Sequence, residues 1–248
     1  MRPTIPLQFA TLLLPLVGCG GGLGGEDDAC AGWRDSDPGH APEILADLQG
    51  GTVAASPEAL TLSWSGHFEG YNNAEDVDSP VPTAALYSRR VPDGDFELTF
   101  AVEAMSSTSI DLAAFVTIQN ESSGKRFLFV QTETGEIADV DRTWDPYGRY
   151  RFEDEDPSGG VSADALPLRF TIRRDGWTIL HSQSYGEQTE PSGEGSYDRV
   201  SGVALIGFGL QNRALDGASV DGDISVTFSG GMLTTEDGAC DSQGFSEP

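Results

Sequence analysis

The chain has 248 residues, 38% of them hydrophobic, with 31 Gly, 14 Pro and a formal net charge of −26 from 14 basic against 40 acidic side chains. A phosphate backbone would be repelled by that surplus, so a nucleic-acid partner is excluded. The one long apolar run sits at the N-terminus, which excludes a multi-pass membrane protein, and the length suits one sizeable core.

Arg2 and the free amine open the chain, and an apolar run follows from Ile5 to Gly18, broken only by Gln8 and Thr11. Its length fits the core of a signal peptide and falls short of the ~20 residues that a spanning helix needs. Pro6 and Pro15 disfavour a spanning helix further. The run ends in Leu16-Val17-Gly18-Cys19, which resembles the lipobox of bacterial lipoproteins. That resemblance implies a signal peptide over 1–18, cleavage after Gly18, and acyl chains on Cys19. Several chains together anchor a protein durably to a membrane. Gly20 after the cysteine, rather than Asp, implies by the same resemblance the outer membrane of the cell envelope, on its periplasmic or surface face. An ordinary secretory signal with an incidental cysteine is the alternative. Gly20, Gly21, Gly22, Gly24 and Gly25 with Glu26-Asp27-Asp28 make residues 19–29 a flexible, charge-repelled tether. Residues 30–248 are then expected to form one domain.

Of the three cysteines, Cys30 and Cys240 remain once the lipid takes Cys19. In an oxidising compartment, with domain termini commonly close together, the two are expected to bridge. Two free thiols or an intermolecular pair are the alternatives. His40, His67 and His181 have no paired spacing, which gives a zinc site no support.

The one helix-like stretch is Pro42 to Gln49, ended by Gly50. Beyond it, period-two alternation predicts strands. Leu60, Leu62 and Trp64 share a face, as do Phe96, Leu98, Phe100 and Val102; then Leu112, Ala114, Val116 and Ile118; then Phe127 and Phe129. Leu168, Phe170 and Ile172 alternate with Arg169, Thr171 and Arg173, and Asp175-Gly176 predicts a hairpin into Trp177-Thr178-Ile179-Leu180. Val203 to Leu210 is almost wholly apolar, the mark of a central strand, and Ile224, Val226 and Phe228 are the last clear strand. Stretches near 71–82, 153–164 and 186–196 read as connections. An all-β, antiparallel two-sheet sandwich follows.

The succession PLRFTIRRDGWTI, VALIGFGLQN, GDISVTF, with Arg173, Gly176, Gly207 and Asp223-Ile224-Ser225-Val226, resembles the second half of concanavalin A-like lectin/glucanase jelly rolls. That resemblance, over about residues 52–235, implies a jelly roll, a scaffold that hosts lectins, glycosidases and inert spacers alike. Glycosidases of that family carry a strand resembling E-x-D-x-E. Here Asp139-Val140-Asp141 is followed by Thr143 where a third carboxylate would stand, and Glu153-Asp154-Glu155-Asp156 is consecutive and beside Pro157. No GxSxG elbow and no spare cysteine occurs. The chain is therefore expected not to be an enzyme.

Trp144, Tyr147 and Arg149, joined by Trp177 and Tyr185, form the most site-like set, since flat rings stack on sugars while Arg binds hydroxyls. Aromatics capping the core are the alternative. No cofactor is expected beyond calcium, for which Asp139, Asp141, Asp145 and Asp223 are candidate ligands against the alternative of a solvated acidic surface. The expected function is a lipid-anchored, non-catalytic envelope sandwich that binds carbohydrate. A lipoprotein meeting another envelope protein, or a divergent glycoside hydrolase, are the alternatives.

Overall fold

The computed structural model describes residues 32–35, 49–69, 83–109, 111–120, 126–132, 137–138, 166–176, 178–185, 188–190, 202–212, 214 and 218–246. They form strands β1 (Arg34–Asp35), β2 (Thr52–Ala55), β3 (Ala59–Phe68), β4 (Thr83–Val91), β5 (Phe96–Ser107), β6 (Leu112–Asn120) and β7 (Arg126–Thr132). The series continues with β8 (Ile137–Ala138), β9 (Leu168–Asp175), β10 (Thr178–Tyr185), β11 (Gln188–Glu190), β12 (Ala204–Asn212), β13 (Val220–Thr235) and β14 (Ser242–Gln243). One sheet runs β1-β4-β12-β6-β7-β8; the other runs β11-β10-β9-β5-β13-β3-β2, with β14 added on β13. Every pairing is antiparallel. Such a two-sheet sandwich buries facing side chains between its layers.

Alternation does here what it predicts. Leu60, Leu62 and Trp64 on β3, Leu98, Phe100 and Val102 on β5, and Ile224, Val226 and Phe228 on β13 turn inward from the larger sheet. They meet Leu112, Ala114, Val116 and Ile118 on β6 and Ile206, Phe208 and Leu210 on β12. The Asp175-Gly176 signal does mark a two-residue hairpin, but one residue later than expected: Asp175 ends β9 opposite Thr178, and Gly176, at φ +60°, opens the turn. As expected for the VALIGFGL run, β12 is central, paired on both sides and buried along its whole length.

One strand was not foreseen from the sequence, and two expectations need correction. Strand β4 has no alternation, because eight of its nine residues are buried, Ser88 and Arg89 among them. Its pairing with β12 slips by a bulge where Ala85 takes φ +52°. The final strand is also longer than its apolar triplet: β13 continues through Gly230-Gly231 to Thr235. Gln188–Glu190, read as connection, is an edge strand. The helix expected at Pro42 to Gln49 lies outside the described residues except for Gln49, which is not helical.

The first and last described segments close over the core. Trp33, just before β1, is stacked on Tyr87 and tilted against Phe208 and Phe245. Tyr87 donates its hydroxyl to the carbonyl of Phe245, and Arg89 Nη2 donates to that of Cys240 at 2.8 Å. Burial lowers the Arg89 pKa, an effect that nearby Asp241 opposes. Gly244 (φ +82°) runs so close to Pro57 that a Cβ there would lie 2.0 Å from its carbonyl oxygen.

Candidate functional site

Strands β4, β12 and β6 are buried on both faces, so the six-stranded sheet has a second face beyond the shared core. The register sets Leu205 opposite Gln119, Gly207 opposite Thr117, Gly209 opposite Phe115 and Gln211 opposite Ala113. On the other flank Gly207 faces Ser88. The two glycines are required by close approach: a Cβ on Gly209 would lie 2.4 Å from Phe115 Cζ, and one on Gly207 would lie 3.1 Å from Thr117 Cγ2. Leu86 also leans over both. The two glycines thus make room for Leu86 and Phe115, whose buried side chains fill the space over them.

Polar atoms lie on the same face. Thr117, Gln119 and Gln211 are 0%, 5% and 3% exposed, yet Thr117 Oγ1, Gln119 Oε1 and Gln211 Nε2 have no hydrogen-bond partner among the described residues. A buried polar group left unpaired costs about 1–3 kcal/mol, so native proteins rarely keep three on one face without a use. The set comprises an acceptor, a donor and a hydroxyl that is both. From the row of Gln119 to the row of Gln211 is six residues along β12, about 20 Å. Sequence reading missed this set, because Gln and Thr within an apolar strand look like ordinary outward positions.

The larger sheet carries a second concavity on its outer face. Thr52, Ser63, Ser225 and Ser106 lie side by side across β2, β3, β13 and β5, a row of hydroxyls spanning four strands. Two residues along β13, Asp223 sits opposite Ser65 and accepts a hydrogen bond from its hydroxyl. The backbone of Thr108 and its hydroxyl bond Asp223 from the other side. Together these groups line a groove of about 400 Å³, with Gly51 at its rim. Gly51 (φ +110°) permits that rim, since a Cβ there would press to 2.8 Å on the carbonyl of Ser63.

Of the residues singled out from sequence, Cys19, Cys30, Asp139, Asp141, Trp144, Asp145, Tyr147, Arg149 and Trp177 lie outside the described residues. Tyr185 ends β10, opposite Leu168 and Gln188. Asp223 lies in the outer groove, with Asp221 two residues away and hydrogen-bonded to His67 at 2.9 Å. Among the described residues no group of three or more acidic, His or Cys side chains could hold a metal ion. Cys240 is buried and disulfide-bonded, and its partner lies outside the described residues.

No protein-family model matches the sequence, and no curated protein matches it. Solved structures do. A functionally unknown protein from Saccharomyces cerevisiae is 11% identical, with 83% of this chain and 96% of that one covered and a TM-score of 0.49. A Bacillus licheniformis beta-glucanase is 10% identical over 79% and 91% of the two chains, with a TM-score of 0.45. A beta-1,3-1,4-glucanase (lichenase) from a mouse hindgut metagenome is 9% identical over 82% and 93%, with a TM-score of 0.44. Such likeness reaches the fold alone. The expectation of a protein that is not an enzyme is nonetheless overturned here, because the structures resembling it include glucanases, a xylosidase and an alginate lyase. That expectation rested on carboxylate spacing within single strands, whereas a catalytic pair is defined by proximity in space. The fold is an all-β antiparallel sandwich of jelly-roll type.

Proposed function

We propose that this is a lipid-anchored protein of the bacterial cell envelope whose sandwich engages a neutral polysaccharide on the second face of the six-stranded sheet. The observation that carries this reading is the unpaired, buried set Thr117 Oγ1, Gln119 Oε1 and Gln211 Nε2. One acceptor, one donor and one hydroxyl are matched together by a ligand rich in hydroxyl groups, which donate and accept alike. A length of about 20 Å accommodates an oligosaccharide rather than a monosaccharide. Trp144, Tyr147, Arg149, Trp177 and Tyr185 remain the aromatic and cationic contacts proposed from sequence.

Calorimetric titration with neutral glucan and xylan oligosaccharides tests the reading. Gln119→Leu is expected to weaken binding about tenfold, by loss of one buried hydrogen bond. Thr117→Val should weaken it too, while raising stability by about 1 kcal/mol, because an isosteric methyl replaces a hydroxyl that has no partner. Unchanged affinity in both variants would refute the site. The same panel, scored for newly released reducing ends, tells a bound polysaccharide from a cleaved one. A stoichiometric envelope protein that co-purifies, with no oligosaccharide bound, would overturn the reading in favour of a protein partner.

The anchor is proposed on Leu16-Val17-Gly18-Cys19, with residues 1–18 removed, residues 19–29 as tether and 30–248 as one domain. The bridge is proposed between Cys30 and Cys240, supported by the buried, disulfide-bonded state of Cys240. Mass spectrometry of the unreduced native chain reads both: acyl mass on an N-terminal Cys19, and a peptide linking Cys30 to Cys240. Cys19→Ser should leave the membrane fraction; retention there would place the anchor elsewhere.

A further inference from the structure

We infer that the groove on the outer face of the eight-stranded sheet is a second binding site, distinct from the face proposed above, for a sugar bearing a free amine. Asp223 supplies the charge. It is exposed, one of its oxygens accepts from Ser65, and among the described residues it has no cationic partner. The neighbouring carboxylate is already engaged: Asp221 pairs with His67. The next residue on its face of β13 is Ser225, about 7 Å along the strand, and Ser106 lies opposite it on β5. Neither the Ser106 nor the Ser225 hydroxyl has a hydrogen-bond partner among the described residues, so both stand ready for a ligand.

The chemistry of the ligand follows from that arrangement. An ammonium group forms a charge-assisted hydrogen bond with an unpaired carboxylate, stronger than a bond between neutral groups. Short hydroxyl side chains reach ring hydroxyls while adding little bulk, and the groove's volume of about 400 Å³ admits a small saccharide. The net charge of −26 draws cations toward the surface and repels uronic acids and phosphorylated sugars. A polymer end or segment carrying unacetylated amino sugar fits all three conditions.

Titration of the full chain in detergent with the glucosamine trimer and the N-acetylglucosamine trimer tests the site. Binding of the amine form is expected to exceed that of the acetylated form, and to weaken as salt is raised. Asp223→Asn should reduce it about tenfold or more, whereas Asp221→Asn, two residues away on the same face, should leave it unchanged. Neutral oligosaccharides, read on the other face, should bind the Asp223→Asn variant as they bind the parent, which separates this site from that one. Equal affinity for the two trimers, no binding of the amine form, or full retention by Asp223→Asn would each overturn the assignment.

Discussion

Phe208→Ala is expected to lower stability by about 3–5 kcal/mol, the range for removing a large buried aromatic side chain. Phe208 is fully buried on the central strand β12. Its ring lies 4.9 Å from that of Phe228 and 5.2 Å from that of Phe100, both across the sandwich. It also lies 5.4 Å from Phe245 and 5.5 Å from Trp33, which belong to the last and first described segments. One side chain therefore joins both sheets and the segments of Trp33 and Phe245, and edge-to-face geometry adds to the area it buries. The void left by alanine would not close readily, because β12 is hydrogen-bonded to β4 and β6 on its two sides. Urea unfolding of parent and variant measures the loss. A cost under about 1 kcal/mol would mean that the aromatic cluster is more loosely packed than its geometry implies. Phe208→Leu, which retains most of the volume, should cost less.

This centre was legible in the sequence, and the reason is physical. Phe208 lies in an apolar run, and a strand buried on both faces has no solvent face on which to alternate. Leu60-Leu62-Trp64 and Ile224-Val226-Phe228 were legible for the opposite reason: one face wet, one dry. What escaped was set by contacts distant in sequence. Arg89 looks like a solvated end to β4, yet it is buried and donates to the Cys240 carbonyl, 151 residues away. Thr117 and Gln119 look like the wet side of β6, and nothing within Leu112–Asn120 announces that this side is dry. The outer groove was half visible. Asp223 drew notice as a carboxylate, but its companions Ser106, Ser225 and Thr52 come from three strands that only register brings level. Charge in this chain is abundant, so charge alone marks no site; the neighbours of each charge do.

Arg174→Leu should be as damaging as the loss of Phe208, by an electrostatic rather than a steric route. Arg173 and Arg174 are adjacent on β9, and the sheet sends them to opposite sides. Arg173 points outward, half exposed, and pairs with Asp175 at 2.9 Å. Arg174 points inward and is fully buried. Its Nε donates to the Gly94 carbonyl at 2.5 Å, Nη1 to Gly202 at 2.8 Å and Nη2 to Pro92 at 2.9 Å. Its guanidinium lies 5.1 Å from the Phe96 ring, and Asp93 is 3.7 Å away. Burial lowers its pKa while Asp93 and Asp95 oppose the shift, and a guanidinium stays charged throughout the physiological range. The same two aspartates complete the corner, since Asp93 accepts from the Gly202 amide and Asp95 from the Gly176 amide, each at 2.7 Å. The β4–β5 turn, the β9–β10 turn and the entry to β12 are therefore tied through one side chain. Leucine fills part of the space and leaves three carbonyls without their donor, at an expected cost of about 3–5 kcal/mol. Lysine has the charge but not the planar fork that reaches three separate oxygens, so Arg174→Lys should recover only part of the loss. Arg173→Leu, one residue away, breaks an exposed pair and should cost less than about 1 kcal/mol. Urea unfolding of the three variants checks the contrast. Equal losses at the two arginines would mean that general charge balance, rather than the carbonyl cradle around Arg174, holds this corner together.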